Sequence, residues 1–264
     1  MKTRIESVKI IENKNKGYLE KKINMFRLKT KKYMVGYLDL LGTKDITYSK
    51  KNNDLLNILH ISIKHYIDFL QVIMPHMNIK DYKIKVFSDN IIIAIPCQNN
   101  KTDDNSFLKS LTGIQNSVRY IQRYFLERNL LSRGAVTFGD FFIDDHLVWG
   151  PAIIRVYELE NSIALYPRVI VDDNIINIAK KYNKLLKAKG HYEDILEKNL
   201  IKKDFDGIYF FDYLGKEQIT KEIALNSLIH IEQKIQNETD KKILQKMDWH
   251  KNYLLYCKKK WDKS

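Results

Sequence analysis

From residue 33 the apolar side chains change period in the order strand, helix, strand, strand, helix, strand, with further helix and strand after it, and few folds accept that order. YMVGYLDLL (33–41) has the β-branched, aromatic and aliphatic content of a strand. In residues 53–74, Leu55, Leu56, Leu59, Ile63, Tyr66, Ile67 and Leu70 recur at helical spacing. YKIKVFSDNIIIAI (82–95) reads as two strands around a Ser88-Asp89-Asn90 turn. Residues 105–128 repeat the helical pattern, and SRGAVTFGDFFIDDHLVW (132–149) holds two more strand-like runs. Pro151 suits the first turn of a helix running to about Ile163, and PRVIVDD (167–173) is a further strand whose Asp172 or Asp173 caps the next helix. The class is therefore α+β, and the order predicts a ferredoxin-like βαββαβ palm built of two split βαβ units, with helices on one face of the sheet.

Two residues disturb this pattern. Asp39 stands among Tyr37, Leu38, Leu40 and Leu41, and Asp89 lies within KVFSDNIIIAIP. A lone buried carboxylate is costly unless it is paired or holds a metal. In the predicted topology the first and third strands are central neighbours, so the end of the first strand lies beside the turn that joins the second and third. Asp39 and Asp89 then meet on one edge. Two carboxylates on rigid strands suit Mg²⁺, which completes its shell with water and substrate phosphates, and two such ions serve phosphoryl chemistry. The bland reading has Asp39 capping a local turn with Gly42 and Thr43, and Asp89 as an ordinary hairpin residue.

Composition narrows the field. The two cysteines, Cys97 and Cys257, have no metal-type spacing, which argues against a disulfide framework and a zinc knuckle. No apolar run approaches a membrane span, and the charged N-terminus lacks the apolar core of a secretory signal, so a cytoplasmic protein is expected. The net charge of +13 invites a nucleic-acid reading, but only eight of the 45 basic residues are arginine and the lysines are spread along the chain. Solvated lysine faces and an anionic ligand such as a nucleoside triphosphate account for it; no stable nucleic-acid partner is expected.

With these residues in view, the chain resembles the class III nucleotidyl cyclase catalytic domain, over roughly residues 33–173. YLDLLGTKD resembles the first-strand motif, and KIKVFSDNIIIAI resembles the family hairpin. SRGAVTFGD resembles the Arg-x-Gly-x-x-x-Gly strand, and VWGPAIIRVYELENSIALYPRVIVDD resembles the Gly-initiated helix that ends in Leu-Glu before a strand. It is similar in particular to the divergent bacterial cyclases of Pycsar anti-phage defence. The resemblance implies conversion of a nucleoside triphosphate to a cyclic mononucleotide and pyrophosphate, in a head-to-tail homodimer. It implies two Mg²⁺ or Mn²⁺ ions on Asp39 and Asp89, and Arg133 as the phosphate-contacting arginine.

The sequence also departs from the family pattern. The helix positions that hold Asn and Arg in the family fall on Ile154 and Glu158, so Arg155 is the substitute considered. Ser88 replaces a glycine. The base-selecting positions fall on Lys85 and Leu147, and the base is not readable. A catalytically inactive module that binds a nucleotide or protein, and a palm-type cyclic oligonucleotide synthase, are the alternatives. Arg168 is read as structural, and His60, His65 and His76 as non-ligands. Residues 1–31 form a polar, basic N-terminal segment and 32–180 the palm. Residues 181–264 are predicted as a mostly helical extension packed on it, with DFDGIYFFDYL (204–214) as a strand or hairpin.

Overall fold

The computed structural model describes residues 28–73, 82–97, 105–215 and 219–262. The fold lies in the unit that begins at Lys31; residues 1–27, His76 and the end of the helix expected over 53–74 lie outside the described residues. The palm begins with β1 (Lys31–Leu41), a short α1 (Thr43–Thr47), α2 (Asn52–Ile73), and the hairpin of β2 (Lys83–Phe87) and β3 (Asn90–Pro96). It continues with α3 (Asn105–Leu126), β4 (Leu131–Ile143), β5 (Val148–Trp149), α4 (Pro151–Ser162) and β6 (Val169–Val171). Then come α5 (Asp173–Ala188), α6 (Ile195–Lys198), the hairpin of β7 (Ile201–Lys203) and β8 (Tyr209–Phe211), α7 (Ile219–Asn237) and α8 (Lys241–Trp261). The architecture is α+β.

The sheet order is β2-β3-β1-β4-β6-β8-β7, with β5 added to β4. Its first four strands are antiparallel neighbours in the ferredoxin-like order. β1 pairs with β3 on one side and with β4 on the other, so Asp39 faces Asn90 across one ladder and Arg133 across the other. The β7–β8 hairpin continues the same sheet beyond β6.

The helices do not all lie on one face as expected. Met34, Leu38 and Leu40 point into a core closed by α2, α3 and α5. Val35 and Tyr37, one residue out of phase, are buried too, under Ala152, Val156 and Leu159 of α4. A central strand that is apolar on both faces must be covered on both. α4 starts where Pro151 predicted, after Gly150 at φ 127°. A Cβ at Gly150 would stand 2.6 Å from the Asp140 carbonyl oxygen, so only glycine lets the chain turn that closely off β4. Asp172 occupies the N-cap position of α5 but its side chain makes no cap bond.

Beyond β8 the chain builds a third apolar cluster. Trp249, Tyr253, Leu254, Cys257 and Trp261 of α8 pack with Ala224 and Ile231 of α7 and with Leu126, Phe210, Tyr213 and Leu214. α7 and α8 therefore share a core with α3 and the sheet. No helix among the described residues is long and apolar enough to cross a membrane.

Candidate active site

The β2–β3 turn is the two residues Ser88 and Asp89, one residue tighter than expected. Ser88 takes the left-handed φ of 55°, a conformation that glycine adopts freely and that brings the chain round in two residues. The Leu40 amide donates to the Asp89 carbonyl at 3.1 Å, which ties the end of β1 to the turn. Asp89 Oδ2 accepts from Thr43 Oγ1 at 2.5 Å and Oδ1 from Asn90 Nδ2 at 3.1 Å. Asn90 Oδ1 in turn accepts from the Tyr37 hydroxyl at 2.6 Å. The turn partner expected for Asp39, Thr43, thus serves Asp89.

Asp39 projects to the α4 face, in phase with Tyr37. Arg133 Nε donates to Asp39 Oδ2 at 3.2 Å, and its Nη2 stands 2.7 Å from Glu160 Oε1. Arg133 Nη1 donates to the Ala164 carbonyl at 3.2 Å, just beyond α4. One guanidinium therefore joins β1, β4 and the end of α4. The pairing is geometrically specific, since the planar fork presents separate donors to each acceptor.

The electrostatics follow from partial burial. Desolvation pushes the Asp39 carboxyl up, and the charge of Asp89 adds to this, while Arg133 and Lys246 oppose it. Glu160 is raised chiefly by burial, with Arg133 and Lys246 pulling it down and Asp39 pushing it up. Tyr37 is driven up to about 12 by burial first, then by Glu160, Asp39, Tyr157 and Asp89. Lys246 of α8 is lowered, mainly by burial and then by Arg133, against the pull of Asp39, Asp240 and Glu160. The rim thus gathers Asp39, Asp89 and Glu160 against Arg133 and Lys246.

Lys85 lies on the same face, paired across the ladder with Ile92, and its ammonium donates to the Asp145 carbonyl at 3.0 Å. That loop turns on Asp144, whose Oδ1 accepts from the amides of His146 and Leu147, both at 2.8 Å. Lys85 is therefore tied to the loop that carries Leu147. Arg155 is placed elsewhere: it grips Asp172 through Nε at 3.1 Å and Nη2 at 2.9 Å. Asp172 also accepts from Thr137 at 2.6 Å, and these bonds hold its carboxyl low despite burial. Ile154 and Glu158 are solvent-exposed on α4.

Sequence reasoning missed Glu160, Tyr37, Asn90 and Lys246 as members of the site. Glu160 carried a signal: it falls four residues after Val156, on the buried stripe of α4. Lys246 carried none, being one lysine among many, brought in by the packing of α8.

Among the described residues no group of three or more His, Cys, Asp or Glu side chains forms a metal cluster. The carboxylates that could hold a cation are Asp39 and Asp89. That fits Mg²⁺, which is commonly held by one or two protein carboxylates, and not a dedicated zinc site. The surplus of carboxylates over cations at the rim is of the sign that a divalent cation offsets.

No family model matches the chain, and no curated protein matches it in sequence. Among solved structures, the adenylyl cyclase CyaB from Pseudomonas aeruginosa is similar at 12% identity and TM-score 0.42, over 58% of this chain and 82% of that one. A class III adenylyl cyclase-like ATP-binding protein from Pseudomonas aeruginosa is similar at 12% identity and TM-score 0.41, over 64% of this chain and 40% of that one. A bacterial light-regulated adenylyl cyclase is similar at 10% identity and TM-score 0.36, over 66% of this chain and 56% of that one.

Proposed function

We propose that the protein is a nucleotide cyclase that closes the 3′-oxygen of a nucleoside triphosphate onto its own α-phosphorus and releases pyrophosphate. The observation that carries this reading is the meeting of Asp39 and Asp89 on one rim, tied by the Leu40–Asp89 backbone bond, with Arg133 beside Asp39. Mg²⁺ or Mn²⁺ ions held by the two aspartates would supply Lewis-acid charge to the triphosphate and to the attacking hydroxyl.

The chain's own residues have separate roles in this reading. Arg133 neutralises phosphate charge as it moves toward the leaving group. Glu160 and the Ala164 carbonyl hold the guanidinium in place, so Arg133 is oriented before substrate arrives. Lys85 and the loop that carries Leu147 flank the base. Phe87 and Ser88 occupy the approach to Asp89 and exclude a second nucleotide. The remaining hydroxyl within reach is that of the same ribose, and proximity favours ring closure to a cyclic mononucleotide.

The active species in this reading is a homodimer. Phe87 and Tyr157 both pack against Tyr37 yet stay 52% and 50% exposed, and Ile154, one turn before Tyr157, is 61% exposed. An apolar stripe beside a polar rim is the mark of a partner surface. Arg155, whose side chain is half exposed on the same helix, then serves the partner's nucleotide. A signalling role in anti-phage defence belongs to the same proposal and rests on the motif resemblance. Binding without turnover is the second reading, favoured by Ile154 and Glu158 where the family carries Asn and Arg.

The test is to incubate the purified protein with each of the four common nucleoside triphosphates and Mg²⁺ or Mn²⁺, and to identify products by mass spectrometry. A cyclic mononucleotide is expected, and Asp39→Ala and Asp89→Ala are each expected to abolish it while keeping the wild-type circular dichroism spectrum. Full activity in either variant removes the metal assignment. A product with two or more bases overturns the steric role of Phe87 and Ser88. Nucleotide binding with no product favours the second reading.

A further inference from the structure

A cavity of about 490 Å³ opens between the β7–β8 hairpin and α8, apart from the carboxylate rim. Its size falls in the range of small-molecule sites. α8 builds one wall in two columns: Trp249, Tyr253 and Tyr256 recur at helical spacing, and Gln245, Asp248 and Asn252 run beside them. Two of the ring pairs are nearly parallel. Trp249 stacks on Tyr166 at 5.8 Å with 14° between planes, and on Tyr253 at 5.4 Å with 10°. Phe210 meets Trp249 edge-on at 5.9 Å, and Phe205, 75% exposed, leans on Tyr166 at the lip.

The walls are fixed from behind. Trp249 Nε1 donates to Asp204 at 2.8 Å. Asp204 and Asp206 pair with Arg168, which is fully buried, its guanidinium carbon 5.2 Å from the Tyr166 ring, 5.6 Å from Phe210 and 5.5 Å from Trp249. The guanidinium already sits over the ring faces that a quaternary ammonium ligand would need, so the cage does not suit one. It suits a neutral planar ring, which stacks on aromatic side chains whatever its identity.

The polar column sets what kind of ring. Asp248 and Asn252 are exposed one turn apart, and among the described residues neither side chain makes a hydrogen bond. A carboxylate accepts from an exocyclic amine, and an amide can both donate and accept, as it does with the edge of adenine. Lys203, exposed at the rim with its ammonium 5.9 Å from the Tyr209 ring, is the cation placed for a phosphate.

We propose that this cavity is a binding site for an amino-bearing nucleobase, adenine or cytosine, carried by a nucleoside or a nucleotide. The site is independent of the cyclase reading, and it is tested without divalent metal or triphosphate. The full chain is titrated with adenosine, cytidine, inosine, uridine and the 5′-monophosphates of adenosine and cytidine, and read by calorimetry and tryptophan emission. Saturable binding of adenosine or cytidine is expected with Kd below about 1 mM. It should be at least about tenfold tighter than for the deaminated partner, inosine or uridine. Asn252→Ala and Phe205→Ala, both at exposed positions, should each weaken it by about tenfold while leaving the melting temperature near wild type. Asp39→Asn should leave it unchanged. A monophosphate that binds more tightly than its nucleoside, with the gain lost in Lys203→Ala, identifies a nucleotide as the source; equal affinities identify the nucleoside. Three outcomes overturn the proposal: no saturable binding, equal binding of the deaminated partners, or binding lost in Asp39→Asn but kept in Asn252→Ala and Phe205→Ala.

Discussion

Arg133 is the residue through which three elements meet. Its guanidinium spans Asp39 on β1, Glu160 on α4 and the carbonyl of Ala164. The Arg133 and Asp39 side chains are only 19% and 21% exposed, and Glu160 4%, so these contacts are weakly screened. Removing the cation leaves Asp39 and Glu160 facing each other across a partly buried gap, with Lys246 as the remaining positive charge nearby. Arg133→Ala is expected to cost about 3 kcal/mol in urea denaturation, near the lower end for breaking a buried pair. Arg133→Lys should recover only part of it, because an ammonium cannot address the three acceptors with a planar fork. A loss under about 0.5 kcal/mol in Arg133→Ala would mean that the pairs are effectively solvent-screened.

At the scale of the element, the join between β1 and β4 depends on a missing side chain. Gly134 in the SRG stretch lies opposite Leu38, and a Cβ there would stand 2.2 Å from the Tyr37 carbonyl oxygen and 3.0 Å from Leu38 Cα. Both are backbone atoms of a central strand and neither can move without breaking the ladder. Gly139, five residues along the same strand, would meet the Ala152 methyl at 3.3 Å, across to a helix that can shift. Gly134→Ala is therefore expected to lose about 3 kcal/mol, at the upper end of overpacking costs, and Gly139→Ala clearly less. Equal losses in chemical denaturation would show that the strand spacing is softer than the close approach implies. The same ladder carries Arg133, so Gly134→Ala should also weaken the site geometry in any fraction that folds.

The whole molecule is made one folding unit from β1 onward by the cluster that α7 and α8 build on α3 and β8. His250 lies fully buried in that cluster, with Tyr213 Oη at 3.2 Å from Nδ1 and Ser227 Oγ at 3.4 Å from Nε2. Burial pushes its pKa from the ordinary 6.5 down to about 3. Between those pH values the unfolded chain binds a proton at His250 that the folded chain does not. Stability contributed by the neutral ring is thus complete above pH 6.5 and declines as the pH falls toward 3. The expected slope is roughly 1 kcal/mol per pH unit below pH 6.5, read as urea midpoints between pH 7 and 4.5. His230, lowered by burial and by Lys234, adds in the same direction. His250→Gln should flatten the slope without abolishing it; an unchanged slope would place the titration elsewhere.

The sequence by itself determined the alternation of periods, and with it the palm. Helical and strand spacing are local properties, and once they alternate as βαββαβ the first and third strands become neighbours. That is why Asp39 and Asp89, fifty residues apart in sequence, were legible as one rim, and why Pro151 marked the start of α4. Periodicity says which face of an element is apolar but not what will cover it. Only the tertiary structure decided that α4 crosses the opposite face of the sheet, which delivers Glu160 to Arg133 and gives Arg155 to Asp172. Only it decided that α8 returns to the palm, bringing Lys246 to the rim and the Trp249–Tyr253 stack to Tyr166. These contacts join residues far apart along the chain, with no local pattern to announce them. They exist because two half-covered faces had to find each other, and burial rewards that meeting by area, whatever the separation in sequence.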